Sequence, residues 1–182
     1  MSKNTEIILS GVGGQGIVIG GALLGKAAVE YGGKNAISSS EYGVETRGTF
    51  TKSSIIIGDG DIFYTDTITP DLVIAMADVA YEKYIDELKA PSILVYDSSV
   101  IKEQKPSECV QLGFPITEIA ISLGNESTAN IVALGIIIQL TNVVDKTIVE
   151  QVLIDKFKNF KETLTMNIDA FNKGYEISSR RV

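Results

Sequence analysis

Four glycines, Gly11, Gly13, Gly14 and Gly16, fall within six residues between a short apolar run and the start of a helical pattern. The run Glu6-Ile7-Ile8-Leu9-Ser10 reads as a strand, and the helical pattern opens around Gln15. A glycine-rich turn at this junction brings backbone N–H groups to a helix N-terminus, where they can cradle a phosphate or carboxylate. Gly11, Gly13 and Gly16 also satisfy G-x-G-x-x-G, a pattern equally open to a tight strand–helix turn that binds nothing. A dinucleotide site needs more: an acidic residue closing the second strand, about 20 residues on, to grip the ribose. Here the second strand reads Asn35-Ala36-Ile37-Ser38-Ser39-Ser40, with Glu41 expected just beyond it, in the next loop. A free-standing nicotinamide or flavin dehydrogenase therefore lacks its ribose anchor.

Periodicity predicts strands over 6–10, 35–39, 49–57, 72–76, 92–96 and 108–112, and helices over 15–31, 78–89, 115–123, 127–141, 145–160 and 162–181. This alternation predicts an α/β fold of three layers, Rossmann-like, with a largely parallel sheet. Gly58-Asp59-Gly60-Asp61 is a turn signal that predicts a hairpin between 53–57 and 62–65, making the sheet mixed at one edge. One domain is expected over 1–182, with a helical tail from about 145 that is either a docking element or a second layer on the core.

The side-chain inventory narrows the chemistry. The chain has no histidine, no tryptophan and one cysteine, Cys109. No Ser-His-Asp, Cys-His or His-metal mechanism can be carried by it, no cysteine-ligated cluster can be built by it alone, and no catalytic residue is assigned. Cys109 sits on an expected strand without a base nearby and reads as a packed thiol. The net charge of −7, with no basic tract, argues against nucleic acid. No run approaches the ~18 apolar residues of a membrane span, and no signal-peptide pattern is seen, so a cytoplasmic protein is expected. Only 21% of residues are charged and mean hydropathy is +0.19. Such a surface suits either a doubly covered sheet or a chain covered by partner subunits.

Two further clusters qualify as site residues. After the second strand come Ser40, Glu41, Tyr42, Gly43, Glu45, Arg47 and Gly48. If that strand parallels the first, this loop opens beside the glycine turn, where ligands of α/β sheets bind. Arg47 can then grip a carboxylate or phosphate, or pair with Glu45 or Glu41; a solvated charged loop is the plainer alternative. The second cluster is Gly124-Asn125-Glu126-Ser127-Thr128-Ala129-Asn130. Asn125 or Ser127 can cap the apolar helix that follows, and Asn130, on its first turn, needs hydrogen-bond partners if buried.

Taken together, Gly11-Val12-Gly13-Gly14-Gln15-Gly16, Tyr42-Gly43-Val44-Glu45-Thr46-Arg47-Gly48, Pro70-Asp71-Leu72-Val73-Ile74-Ala75-Met76 and the run from Gly124 to Gly135 resemble the gamma subunit of 2-oxoacid:ferredoxin oxidoreductases. The likeness covers nearly the whole chain, in order. It departs at Thr49, where the family loop has a second glycine after Arg-Gly. The resemblance implies a non-autonomous subunit of an enzyme that decarboxylates a 2-oxoacid, passes the acyl group to coenzyme A and reduces ferredoxin. Thiamine diphosphate and iron–sulfur clusters would lie in partner subunits (alpha, beta and a ferredoxin-like delta). On this expectation Gly11, Gly13, Gly14, Gln15, Gly16 and Arg47 face a cofactor or co-substrate anion. Ser40, Glu41, Tyr42, Gly43, Glu45, Gly48 and Asn130 shape the site or meet a partner. The oxoacid expected is 2-oxoglutarate or a broad range; the alternatives are the dehydrogenase above and a purely structural assembly subunit.

Overall fold

The computed structural model describes residues 4–43 and 49–179. Six strands, β1 (Thr5–Val12), β2 (Asn35–Tyr42), β3 (Phe50–Gly58), β4 (Leu72–Ala75), β5 (Lys89–Asp97) and β6 (Glu108–Phe114), form one sheet in the order β2-β3-β1-β4-β5-β6. β1, β4, β5 and β6 are mutually parallel, and β3 runs antiparallel to both β1 and β2. The helices are α1 (Ile17–Lys26), α2 (Asp78–Ile85), α3 (Ile116–Ser122), α4 (Ala129–Thr141), α5 (Lys146–Phe157) and α6 (Lys161–Ser179). This is the expected three-layer, Rossmann-like α/β architecture with a mixed sheet.

The strand period of two divides the core. Ile7, Leu9, Ile55, Ile57, Leu72 and Ile74 point to one face, which α1 and α4 cover. Ile8, Val73, Ala75 and Leu94 point to the other, against Ala80, Tyr81, Tyr84 and Ile85 of α2. Each aliphatic side chain so enclosed contributes roughly 1.5–3 kcal/mol of burial free energy. Outside α4 lies α6. The two cross so closely that a Cβ on Gly135 would overlap the Phe171 carbonyl oxygen, and one on Gly174 the Val132 carbonyl oxygen. The segment from residue 145 is thus a second layer on the core.

The expected hairpin is not there: residues 62–65 form no strand. β3 already pairs on both sides, Thr51 with Tyr42 and Phe50 with Val12, so a strand after Gly58 has no free edge of β3 to join. Residues 59–71 are instead held to the sheet by Glu6, a buried carboxylate. Its Oε1 accepts from the Tyr64 hydroxyl at 3.0 Å, and its Oε2 from the N–H groups of Ile68 at 2.6 Å and Thr69 at 2.8 Å. Two helices also end earlier than their patterns suggest. α2 stops at Ile85 because Lys89 already belongs to β5 and faces Glu108 of β6. α1 gives way at Lys26 to a π-helical turn, Ala27–Tyr31, closed by the Gly32 N–H on the Ala27 carbonyl at 2.9 Å. No helix among the described residues is long and apolar enough to cross a membrane.

Candidate functional site at the carboxyl edge

Because β3 reverses between them, β1 and β2 run in the same direction, and their carboxyl ends open on one edge of the sheet. The glycine turn therefore meets the stem of the loop after β2, as the sequence suggested. One hydrogen bond joins them and a second closes the stem itself. The Gly13 N–H donates to the Thr49 carbonyl at 3.0 Å, and the Gly43 N–H donates to the Phe50 carbonyl at 3.0 Å. Thr49 seats its side chain over Gly43, where a Cβ would lie 2.6 Å from the Thr49 hydroxyl. The departure from the family's glycine thus fills a space that Gly43 leaves open. Glu45, Arg47 and Gly48 lie outside the described residues.

The turn is braced from beneath. The Gln15 side chain is engaged by the backbone: its Oε1 accepts from the Val12 N–H at 2.8 Å and its Nε2 donates to the Met76 carbonyl at 2.9 Å, tying β1 to the end of β4. Gly16 precedes α1 with φ +69°, a left-handed conformation costly to other residues. Asn130 of α4 is 5% exposed and sits against Gly16, where a Cβ would fall 2.5 Å from its Nδ2. That nitrogen donates to the Gly16 carbonyl at 3.0 Å, while the buried Oδ1 has no partner among the described residues. The first turns of α1 and α4 are held at a fixed distance by this one amide. The N–H groups of Gly14 and Gly16 have no acceptor among the described residues, and the first turn of α1 adds its orphan donors.

Two clefts flank the turn. One, of about 260 Å³, lies between Gly14 and Gln15 on one side and Thr117, Glu126, Ser127 and Ala129 on the other. Thr117 is committed there: its N–H and hydroxyl donate to the buried Asp97 carboxylate at 3.0 and 2.5 Å. Asn125 caps the short 3₁₀ turn Glu126–Thr128 by accepting the Ser127 N–H at 3.0 Å. The other cleft, of about 330 Å³, is lined by Gly13, Gly14, Gly16, Val18, Ile19, Tyr42 and Thr51 and has no carboxylate on its walls. Glu126 sets a carboxylate against an anion in the first, whereas the second is walled by the glycine backbone, aliphatic side chains and the hydroxyl-bearing Tyr42 and Thr51.

One sequence expectation is corrected. Glu41 is not in a loop; the β2 ladder continues through it to Tyr42. A carboxylate does stand at the end of the second strand, but β3 lies between β2 and β1, one strand spacing farther from the glycine turn than in a dinucleotide fold. Its charge is also taken. Lys52, on β3 directly opposite, pairs with Glu41 at 3.0 Å and with Asp66 at 3.2 Å. Burial pushes the Lys52 ammonium down, but hydrogen bonds and attraction to the two carboxylates outweigh it and leave its pKa raised. Burial pushes Asp66 up, and the nearby Ser54 hydroxyl with hydrogen bonds from Lys52 and the Thr67 N–H outweighs that, holding it below the usual carboxylate range. Ser40 lies beside Ser53 in the same ladder. Cys109 is buried, its Sγ 3.3 Å from the Ser107 hydroxyl. Among the described residues no group of three or more potential ligand side chains is placed to hold a metal. Sequence reasoning passed over Ile19, Val18 and Thr51 as cleft walls, because in a strand–helix unit they are indistinguishable from core positions by pattern.

The edge thus defines an α/β unit whose glycine turn leaves backbone N–H groups without acceptors among the described residues. A family model described as pyruvate ferredoxin/flavodoxin oxidoreductase matches residues 6–177. The 2-oxoglutarate synthase subunit KorC of Methanocaldococcus jannaschii is 38% identical over 176 residues, covering 95% of this chain and 93% of the relative. The crystal structure of a keto/oxoacid ferredoxin oxidoreductase gamma subunit from Geobacter sulfurreducens superposes with TM-score 0.84 at 34% identity, covering 97% of this chain and 99% of that one. A 2-oxoglutarate:ferredoxin oxidoreductase from Magnetococcus marinus, solved with 2-oxoglutarate, coenzyme A and succinyl-CoA, superposes with TM-score 0.90 at 25% identity; it covers 99% of this chain and 32% of that chain. The chain belongs to the pyruvate ferredoxin/flavodoxin oxidoreductase family. Within it the chain is a gamma-type, non-autonomous subunit that supports decarboxylation carried out by partner subunits.

Proposed function

We propose that this subunit serves a 2-oxoglutarate:ferredoxin oxidoreductase and presents the acyl acceptor, coenzyme A, at the cleft between the glycine turn and Tyr42. The full-length match to KorC subunits supports the choice of oxoacid. The observation that carries the site is the pair of uncommitted N–H groups at Gly14 and Gly16, opening on a cleft without carboxylates. These residues suit a phosphate group, and Arg47, on the loop whose stems Gly13 and Thr49 fix, would add charge. Coenzyme A supplies the thiol that receives the acyl group. Thiamine diphosphate and the iron–sulfur clusters belong to alpha, beta and delta partners, with ferredoxin as acceptor. This chain's contribution is to bind and orient, a matter of proximity rather than proton transfer.

The test is to co-express the chain with its partner subunits and follow ferredoxin reduction. Turnover is expected with 2-oxoglutarate and to depend on coenzyme A; a preference for pyruvate or a branched-chain oxoacid would refute the substrate assignment. Arg47→Ala in the assembled complex is expected to raise the KM for coenzyme A about tenfold with kcat little changed, the size of one charge-assisted hydrogen bond. Unaltered coenzyme A kinetics would remove Arg47 from the site.

A further inference from the structure

Between Ile17 and Val29 the only charged residue is Lys26. A helix apolar all round belongs in an interior, yet α1 and its π-helical extension stand on the outside of the molecule. Ile17, Leu24 and Ala28 face the sheet and are buried, whereas Ile19 is 51% and Val29 53% exposed, with Ala22 exposed between them. Ile19, Ala22 and Leu23 form the floor of a groove of about 220 Å³ whose rim carries Lys26 and Lys156. Lys26 is paired with Glu30 at 3.5 Å; Lys156 makes no ion pair among the described residues. Ile19 also walls the carboxylate-free cleft beside Tyr42, so the apolar strip and the candidate site are one continuous surface.

We infer that the outer face of α1, with the Lys156 groove, is the seat of a partner subunit of the same oxidoreductase, one whose contacting surface is apolar and offers a carboxylate to Lys156. The inference rests on the gamma-subunit reading of the proposed function. Three observations choose this occupant. The strip runs into the site, and the chemistry assigned to partner subunits has to be adjacent to that site. In the Magnetococcus marinus protein the matching unit is 32% of one longer chain, so the same fold is found there alongside further polypeptide of the same enzyme. A second copy is disfavoured, because two-fold pairing of this strip would bring Lys26 and Lys156 of both copies to one groove.

The experiment uses the co-expressed complex and the isolated chain in parallel. Ile19→Asp and Ala22→Asp are expected to lower the fraction of chain recovered in the complex at least tenfold by native mass spectrometry, and Lys156→Glu to lower it several-fold. Melting of the isolated variants should be unchanged, since these side chains face solvent. Val110→Asp, equally exposed on the far edge strand β6, should assemble like the wild type. Full retention of Ile19→Asp in the complex overturns the assignment. So does a result in which Ile19→Asp leaves the complex intact but abolishes self-association of the isolated chain. Oxoacid turnover by the wild-type complex is scored separately: an assembled but inactive wild type would refute the proposed function, while the recovery of Ile19→Asp still decides the seat.

Discussion

α1 and α4 are the two most apolar helices of this chain, and they meet different fates. α4 reads Ala-Asn-Ile-Val-Ala-Leu-Gly-Ile-Ile-Ile-Gln-Leu-Thr and is buried from Ala129 through Ile138, with the sheet on one side and α6 on the other. α1 has the sheet behind it, and among the described residues its outer face leaves Ile19 and Ala22 exposed, with Lys156 at the rim of the groove. The same composition therefore marks an interior in one case and an uncovered surface in the other. Hydrophobicity says that a face will be covered; only topology says whether the chain covers it itself. The two helices touch at their first turns, where Asn130 of α4 holds Gly16 of α1, so the covered helix fixes the position of the uncovered one.

The contrast is broken most severely at the α4–α6 crossing. Gly135→Leu puts a side chain where the Phe171 carbonyl already stands, so the helices must separate. Overpacking of this kind should cost about 3 kcal/mol or more, or prevent folding, read as the shift in urea midpoint. A midpoint within error of the wild type would mean that the second layer is not packed as described. Next in size is Asn130→Asp, which trades the donor on the Gly16 carbonyl for a carboxylate facing that same carbonyl. A loss of about 2 kcal/mol is expected, against about 1 kcal/mol for Asn130→Ala, which leaves Gly16 its bond from the Gly20 N–H at 2.9 Å. Equal effects of Asp and Ala would show that the amide does not brace the turn.

What could be read beforehand follows from the range of the interactions. The alternation of apolar runs placed all six strands within a few residues, and the glycine motif placed the strand–helix turn at the carboxyl edge, since both are local. The ladder that continues through Glu41 and Tyr42 was not legible: Ser38-Ser39-Ser40 has weak strand preference, and it is overridden by pairing with β3, Glu41 against Lys52 and Tyr42 against Thr51, which a single-strand pattern does not show. The hairpin after Gly58 failed for a related reason. Its turn signal is genuine locally, but β3 had spent both edges on β1 and β2. Gln15 looked like a ligand residue because it stands among glycines; its amide is occupied by Val12 and Met76, the latter 61 residues away.

The opposite face of the sheet gives a smaller and pH-dependent contrast. Lys52 has a folded pKa raised above its unfolded value, so its pairing stabilises fully below about pH 10.5 and is lost as pH climbs through the folded value. Asp66 has a folded pKa depressed below 3.8, so its share is present above that pH and lost as pH falls through the folded value. Half-exposed carboxylates are screened by solvent, and Lys52→Met should cost only about 1 kcal/mol at neutral pH. The variant and wild-type stabilities should converge both far below pH 3.8 and far above pH 10.5. Parallel curves across the whole range would mean that the effect of Lys52 is packing, not charge.

The smallest expected change is on the outer face of α1, and its smallness is the informative part. In the isolated chain Ile19→Ser removes a side chain that is half in solvent. The melting curve should move by less than about 0.5 kcal/mol, the range of ordinary surface substitutions. Serine is a slightly poorer helix former than isoleucine at most, so propensity adds nothing to the comparison. A loss above about 1 kcal/mol would mean that Ile19 is already packed within the chain, and α1 would then resemble α4 after all. If the loss is small while the equivalent truncation on α4, Ile136→Ser, unfolds the chain, the two helices differ in what covers them rather than in what they are made of.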